Sequence, residues 1–157
     1  HSHACVTRRI FEKWGRESVA VIGVRSACRE EAIDADRARL TYVTAEQTRR
    51  EGIHNVISHW DGKLSLRDRP VYLSIDIDGI DPAYAPGTGT PEPWGLTSID
   101  ILHLIQELRK NINAMDIVEV SPSIEEFITP GLAGKLMRQM IGLREMVIKN
   151  PTWLEKL

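Results

Sequence analysis

Residues 74–91 read Ser-Ile-Asp-Ile-Asp-Gly-Ile-Asp-Pro-Ala-Tyr-Ala-Pro-Gly-Thr-Gly-Thr-Pro, and this stretch carries most of the information about the fold. The apolar run Val71-Tyr72-Leu73 leads into three acids and then into a loop of Pro, Gly and Thr. Such a run predicts a buried strand, and the acids fall where the strand leaves the sheet. Because side chains alternate along a strand, Asp76 and Asp78 are predicted to share one face.

Two neighbouring carboxylates in a cleft repel each other unless a positive charge lies between them. A hard divalent cation is the simplest such charge, so Asp76 and Asp78 are candidate metal ligands. An alternative is that the acids only shape a turn, because Asp side chains hydrogen-bond their own backbone and tolerate unusual dihedrals.

The rest of the chain alternates strands with helices, which is typical of a mainly parallel sheet in a three-layer α/β/α arrangement. Residues 1–157 are predicted to form a single domain. The predicted helices are 6–14, 30–39, 45 to about 60 with a break near Gly52, 98 onward after a Thr97 cap, and about 129–149. The predicted strands are 18–24, 40–44, 71–75 and 115–120.

Glu119 is the odd polar residue of its predicted strand, Met115 to Val120. Ligands in parallel sheets bind beyond the carboxyl ends of strands, where Asp76, Asp78 and Glu119 are all expected. Glu119 is therefore either a substrate contact or a structural acid paired within the fold. Thr88 and Thr90 are likewise candidates for a substrate hydrogen bond or for support of the loop.

The 74–91 string resembles the signature of the ureohydrolase family, the arginases and agmatinases, and the wording of residues 83–91 favours the agmatinase branch. Four further segments resemble the family: Ser2 to Arg9, Val21 to Arg25, Asp116 to Pro122 and Leu132 to Leu136. The departures are Ala4 and Cys5, which replace Gly and Thr, and Trp94, which stands where the family has Gly. The indole of Trp94 either narrows the substrate entrance or covers a loop.

The resemblance implies an arginase-like fold and a pair of manganese ions, with Asp76 and Asp78 among the ligands. It implies that Glu119 meets the cationic guanidinium of the substrate, and that His3 is a catalytic residue that transfers a proton or positions the substrate. Thr88 is a further expected substrate contact. The implied reaction is hydrolysis of a guanidino compound, foremost agmatine to putrescine and urea, as in polyamine biosynthesis. Family members commonly form homo-oligomers, as trimers or hexamers.

Two metal-binding motifs that the family carries, Gly-Gly-Asp-His-Ser and Asp-Ala-His-x-Asp, are not found in this sequence. The five histidines lie outside any family ligand motif, at positions His1, His3, His54, His59 and His103. The chain is therefore expected to be the C-terminal half of a longer enzyme, which needs an N-terminal half or a partner chain for turnover. The alternative is a non-catalytic, cation-binding remnant or assembly subunit.

Composition narrows the partners of this chain of 157 residues. A net charge of −2 without a basic stripe argues against nucleic acid. Apolar stretches of strand length argue against a membrane partner. Cys5 and Cys28 lie in unrelated contexts and are predicted to be reduced cytosolic thiols, which predicts a cytoplasmic location.

Overall fold

The computed structural model describes residues 5–149, which form an α/β fold with parallel strand pairing, as predicted. The helices are α1 (Val6–Trp14), α2 (Arg29–Ala38), α3 (Ala45–Glu51), α4 (Ile53–Leu64), α5 (Ser98–Leu108) and α6 (Ile128–Lys149). The strands are β1 (Ala20–Val24), β2 (Thr41–Thr44), β3 (Val71–Asp76) and β4 (Ile112–Val118). Short 3₁₀ helices cover Arg16–Ser18 and Ile77–Gly79.

Local capping signals set where the helices begin. Thr97 Oγ1 accepts the Asp100 N–H at 3.1 Å, and the Asp100 carboxylate accepts the Thr97 N–H at 2.8 Å, which completes a capping box at the start of α5. Thr44 and Gln47 form the same motif before α3. Gly52 has a φ of 79° and separates α3 from α4, so the predicted break near this glycine is confirmed.

The four strands form two parallel pairs, β1 with β2 and β3 with β4. The sequence predicted one sheet, but within residues 5–149 no ladder of hydrogen bonds joins the pairs. Loops and side-chain contacts join the two strand pairs instead. Leu96 forms an isolated bridge with Ile80, and its side chain fills the space beside Gly23 of β1.

The main core lies between the β3–β4 pair and the helices α4, α5 and α6. Alternation along β3 buries Ile75 and turns Asp76 outward, and the fully buried Ile105 and Ile112 come from α5 and β4. The outward face of β3 remains open to solvent, with Tyr72 63% exposed. No helix within the described part of the chain is both long and apolar enough to cross a lipid bilayer.

β3 ends at Asp76, one residue beyond its predicted end at Ile75. The strand stops at Asp76 because the Asp76 side chain accepts the Asp78 N–H at 2.9 Å, and a 3₁₀ turn begins at Ile77. Burial nevertheless continues to alternate through this turn, because Ile75 and Ile77 are buried whereas Asp76 and Asp78 are not, which agrees with the predicted common side of the two acids. The last strand ends early, at Val118, so Glu119 lies just beyond the sheet.

Candidate functional site

Three acids meet at the carboxyl edge of the β3–β4 pair. The parallel register places Asp76 opposite Val118, and Glu119 follows Val118 directly. The charge of Glu119 acts on both Asp76 and Asp78, and the charge of Asp78 also acts on Asp76. The structure therefore brings together the three acids that the sequence singled out.

The surroundings of Asp76 and Asp78 disfavour their charged forms. Burial is the largest cause that raises the pKa of Asp76, even though part of its side chain still meets solvent, and repulsion from Asp78 and Glu119 adds to it. The pKa of Asp78 is raised in the same way, first by burial and then by the charge of Glu119. Since each carboxylate destabilises the others, a bound cation would stabilise this edge of the sheet.

The third acid of the motif, Asp81, has a different environment. Its Oδ1 accepts the Ala83 N–H at 2.9 Å, and its Oδ2 accepts the Gly95 N–H at 3.1 Å. These bonds, led by the one from Ala83, lower the pKa of Asp81. Both of its oxygens hold the loop backbone, so Asp81 is a structural acid.

Thr88 is buried, with 1% of its surface exposed, and lies between two of the acids. Its hydroxyl donates to Asp78 Oδ1, and its oxygen is 3.0 Å from the carbonyl oxygen of Glu119. The backbone and the side chain of Thr90 also favour the charged form of the Asp78 carboxyl and lower its pKa, against the larger effects of burial and Glu119. The structure thus shows Thr88 supporting the loop, and its predicted contact with substrate remains a prediction. Thr90, the other loop threonine that the sequence singled out, lies close to the same carboxylate, and its predicted contact with substrate also remains a prediction.

Glu119 adopts a φ of 62°, a left-handed conformation that is uncommon for residues other than Gly, Asn and Asp. Such strain persists only where the surroundings enforce it, and it concentrates at functional sites. Here the Thr88 hydroxyl contacts the Glu119 carbonyl, and the side chain is exposed beside Asp76 and Asp78. Because the Glu119 side chain is exposed, a ligand can reach its carboxylate.

The remaining residues singled out by sequence have different outcomes. His3 and Ala4 lie outside the described residues, and Cys5 directly precedes α1. Trp94 is 75% exposed and has a φ of 64°. A left-handed backbone is the conformation that glycine adopts freely, which gives a physical reason for the glycine that the family resemblance implies at this position.

Sequence reasoning assigned no role to Arg25, yet its guanidinium lies close to the site. Its side chain is 14% exposed. Its positive charge lowers the pKa of Asp76, Asp78 and Asp81. For Asp76 and Asp78 this effect is smaller than that of burial, which raises the pKa. Its contacts reach 53 and 67 residues along the chain, to Asp78 and Glu92. A lone arginine after a strand gives no sequence signal of such contacts.

A chain of hydrogen bonds connects the Pro-Gly-Thr loop to the start of α6. The Gly87 N–H donates to the buried Thr129 Oγ1 at 2.7 Å, and the Gly87 carbonyl accepts the Ser121 N–H at 2.8 Å. The Glu125 carboxylate in turn accepts the N–H groups of residues 127–129 at 2.7 to 2.8 Å. The loop that carries Thr88 and Thr90 is therefore fixed to the helix that follows β4.

Glu125→Gln is expected to lower stability in a pH-dependent way. The N–H of Thr129, followed by those of Ile128 and Phe127, lowers the pKa of Glu125 from 4.5 to about 2. This carboxylate therefore contributes stability above its ordinary pKa of 4.5, and the contribution is lost as the pH falls towards about 2. Urea unfolding midpoints of the two proteins should differ at neutral pH and converge as the solution is acidified.

Glu126→Gln is the matched control, because no hydrogen bond involves the Glu126 side chain within the described residues. Its midpoint should follow the parent protein at every pH. A Glu125→Gln difference that persists unchanged at acidic pH would contradict the role of its carboxylate.

The described residues offer two candidate metal ligands. Asp76 and Asp78 offer carboxylate oxygens, but no group of three or more His, Cys, Asp or Glu side chains within residues 5–149 is arranged to hold a metal ion. The site is thus a pair of candidate ligands with a neighbouring acid.

The sequence of this chain is similar to those of several known proteins. The chain is 38% identical over 144 residues to an agmatinase from Pyrococcus horikoshii, which covers 90% of this chain and 48% of the relative. It is 35% identical over 130 residues to an arginase from Entamoeba histolytica, which covers 82% of this chain and 44% of the relative. The chain spans about half the length of the curated relatives it matches.

The fold is also similar to those of solved structures. The agmatine ureohydrolase of Thermoplasma volcanium matches with a TM-score of 0.85 and 42% identity, over 94% of this chain and 49% of that one. The Entamoeba histolytica arginase in complex with L-ornithine matches with a TM-score of 0.74 and 34% identity, over 82% of this chain and 44% of that one. Both confirm the predicted arginase-like fold. With a model of the Arginase family matching residues 1–142 as well, this chain belongs to the Arginase family.

Proposed function

We propose that this chain supplies part of the active site of a manganese-dependent ureohydrolase that hydrolyses a guanidino substrate. The observation that carries the proposal is the meeting of Asp76, Asp78 and Glu119 at one strand edge in an Arginase family chain. Two of these acids suit a metal, and the third suits the cationic group of the substrate.

Asp76 and Asp78 have the chemistry that manganese prefers. Their donors are hard carboxylate oxygens, and within the described residues Asp76 Oδ2 receives no hydrogen bond. Burial and the charge of Glu119 raise the pKa of both groups even though Arg25 lies nearby, so a bound cation would favour their charged forms. An octahedral ion takes about six ligands, so the remaining protein ligands come from outside residues 5–149 in this proposal. Manganese, when bound, supplies the Lewis acidity that makes water a nucleophile at neutral pH.

Glu119 is proposed to bind and orient the guanidinium group. A carboxylate pairs with a guanidinium through two parallel hydrogen bonds, which fixes the plane of the cation. Thr88 contacts both the Asp78 carboxylate and the Glu119 backbone carbonyl. These contacts hold Glu119, the proposed substrate contact, at a fixed position relative to Asp78, a proposed metal ligand. His3 is proposed, on family resemblance, to transfer a proton or position the substrate.

Agmatine is the proposed substrate, with putrescine and urea as products. The names of the similar proteins support this preference, since they include agmatinases and an N(1)-aminopropylagmatine ureohydrolase, although arginases are also among them. The Ala-Pro-Gly-Thr-Gly-Thr-Pro wording of the loop supports the same branch.

The proposal is tested by titrating the purified chain with Mn²⁺ in a calorimeter and assaying urea release from agmatine and arginine. Both measurements are made on the chain alone and after mixing with a polypeptide that carries the Gly-Gly-Asp-His and Asp-Ala-His motifs. Urea release from agmatine in the mixture supports the proposal. Manganese binding without turnover in either sample favours the cation-binding alternative, and the absence of both contradicts the metal role.

Glu119→Gln is expected to raise the KM for a cationic guanidino substrate by about tenfold to a hundredfold, because a hydrogen bond to a charged group contributes about 1.5 to 3 kcal/mol. Manganese affinity should change much less, since Glu119 only adjoins the candidate ligands. Steady-state kinetics and calorimetry on the same sample separate the two effects. Equal loss of metal binding and substrate binding would place Glu119 among the ligands instead.

A further inference from the structure

Arg25 reaches the site because of a distortion in β1. The β1–β2 register shifts between Ile22 and Val24, and Gly23 within this bulge has a φ of 89°. A bulge re-aims the side chains that follow it. Leu96 occupies the space beside Gly23 so closely that a Cβ there would lie 2.8 Å from Leu96 Cδ1. The end of β1 is thereby held against the segment that follows the acid loop.

The Arg25 guanidinium bonds to both ends of the loop between residues 78 and 92. Its Nη2 donates to the Asp78 carbonyl, and its Nε donates to the Glu92 carbonyl at 3.2 Å. The Glu92 carboxylate lies 3.9 Å from Nε and accepts a hydrogen bond from the Ser26 hydroxyl. Two consecutive residues after β1 therefore fasten the two ends of one loop.

We infer that Arg25 is a positioning residue that clamps the loop from Asp78 to Glu92 and so sets the place of the Asp78 carboxylate. The inference deepens the proposed function, because Asp78, Thr88 and Thr90 all lie on this loop. No ion pair within residues 5–149 joins Arg25 to Asp76 or Asp78. Its donors bond to backbone carbonyls, which leaves the carboxylates of the two candidate ligands available to a cation.

The geometry requires arginine in particular. A planar guanidinium presents donors in fixed, divergent directions, whereas a lysine ammonium is a single point charge on a flexible stem. Arg25→Lys keeps the charge but cannot bridge the two carbonyls at the same angles. Loss of the clamp and loss of the charge can therefore be told apart.

The test measures amide hydrogen exchange of Asp81 and Leu96, whose N–H groups donate to Leu96 O at 2.8 Å and Gly79 O at 3.0 Å. Both amides should exchange about tenfold faster or more in Arg25→Lys and Arg25→Gln, because local opening governs exchange of such bonds. Exchange in the buried part of α5, at Ile105, should stay unchanged. Arg50→Gln is the control, since Arg50 is exposed and, among residues 5–149, forms an ion pair only with Glu46 one turn away.

Two exchange results would overturn the inference. Unchanged rates at Asp81 and Leu96 would show that the loop does not depend on Arg25. Equal acceleration at Ile105 would show that Arg25 only contributes to global stability. Glu92→Ala, a change at a half-exposed residue, provides a milder test if the Arg25 variants fail to fold, and it should accelerate the same two amides.

Manganese calorimetry on the same proteins separates this inference from the proposed function. If the parent binds Mn²⁺, both Arg25 variants should bind at least about tenfold more weakly, as expected when a group that orients a ligand is lost. Unchanged affinity alongside faster loop exchange would overturn the positioning of Asp78. If the parent binds no Mn²⁺, the metal role fails, and loop exchange alone decides whether Arg25 is the clamp.

Discussion

Asp78→Asn is expected to weaken Mn²⁺ binding by at least about a hundredfold, since changes in groups that only orient a ligand already cost about tenfold to a hundredfold. The substitution removes one anionic oxygen donor while keeping the size of the side chain. Asn Oδ1 can still accept the hydroxyl of Thr88, so the loop retains this contact. Isothermal titration with Mn²⁺ measures the effect directly, and urea release from agmatine should fall with it.

The same substitution should not destabilise the metal-free protein. Burial and the charge of Glu119 raise the pKa of Asp78 above its ordinary value. A carboxyl with a raised folded pKa binds its proton more tightly in the folded state, so stability falls as the pH rises from the ordinary value through the raised one. Burial and Glu119 therefore disfavour the charged carboxyl whereas Thr90 favours it, so the urea midpoint of Asp78→Asn should lie close to that of the parent.

Asp81→Asn is the matched control from the same motif. Both Asp81 oxygens accept backbone N–H groups, and an amide can replace only one of them, so a loss of about 1 kcal/mol in stability is expected. The two variants should thus show opposite patterns of metal binding and stability. Equal loss of Mn²⁺ affinity in both variants would contradict the assignment of Asp76 and Asp78 as ligands and of Asp81 as a structural residue.

Gly95→Ala is expected to lower the free energy of unfolding by about 3 kcal/mol or more, at the upper end of overpacking effects. A Cβ at Gly95 would lie 2.5 Å from Asp81 N and 2.7 Å from Ile80 C, and backbone atoms cannot move aside as a flexible side chain can. This close approach allows Leu96 to bridge Ile80 directly after the candidate ligands. Urea denaturation monitored by circular dichroism measures the loss.

Gly89→Ala controls for the general effect of losing a glycine in this loop. No atom lies within 4 Å of a Cβ at Gly89, and its φ is outside the left-handed region, so a change within about 0.5 kcal/mol is expected. If Gly95→Ala were as stable as Gly89→Ala, the loop would not approach Ile80 and Asp81 as closely as the structure shows.

The sequence by itself determined the local elements and the chemistry of the acids. The capping boxes at Thr44 and Thr97, and the break at Gly52, depend on hydrogen bonds or dihedrals within a few residues. Asp76 and Asp78 were identifiable because an apolar run ends in a distinctive acid loop. Such features are visible in sequence because the groups that interact are neighbours along the chain.

Only the tertiary structure decided how these pieces form a site. The reach of Arg25 to Asp78 spans 53 residues, and that of Gly87 to Thr129 spans 42. The burial of Thr88 between Asp78 and Glu119, and the separate roles of Asp78 and Asp81, also follow from folding. These outcomes depend on which backbone donors and acceptors packing brings within hydrogen-bonding distance, a property of the whole fold that no local pattern encodes.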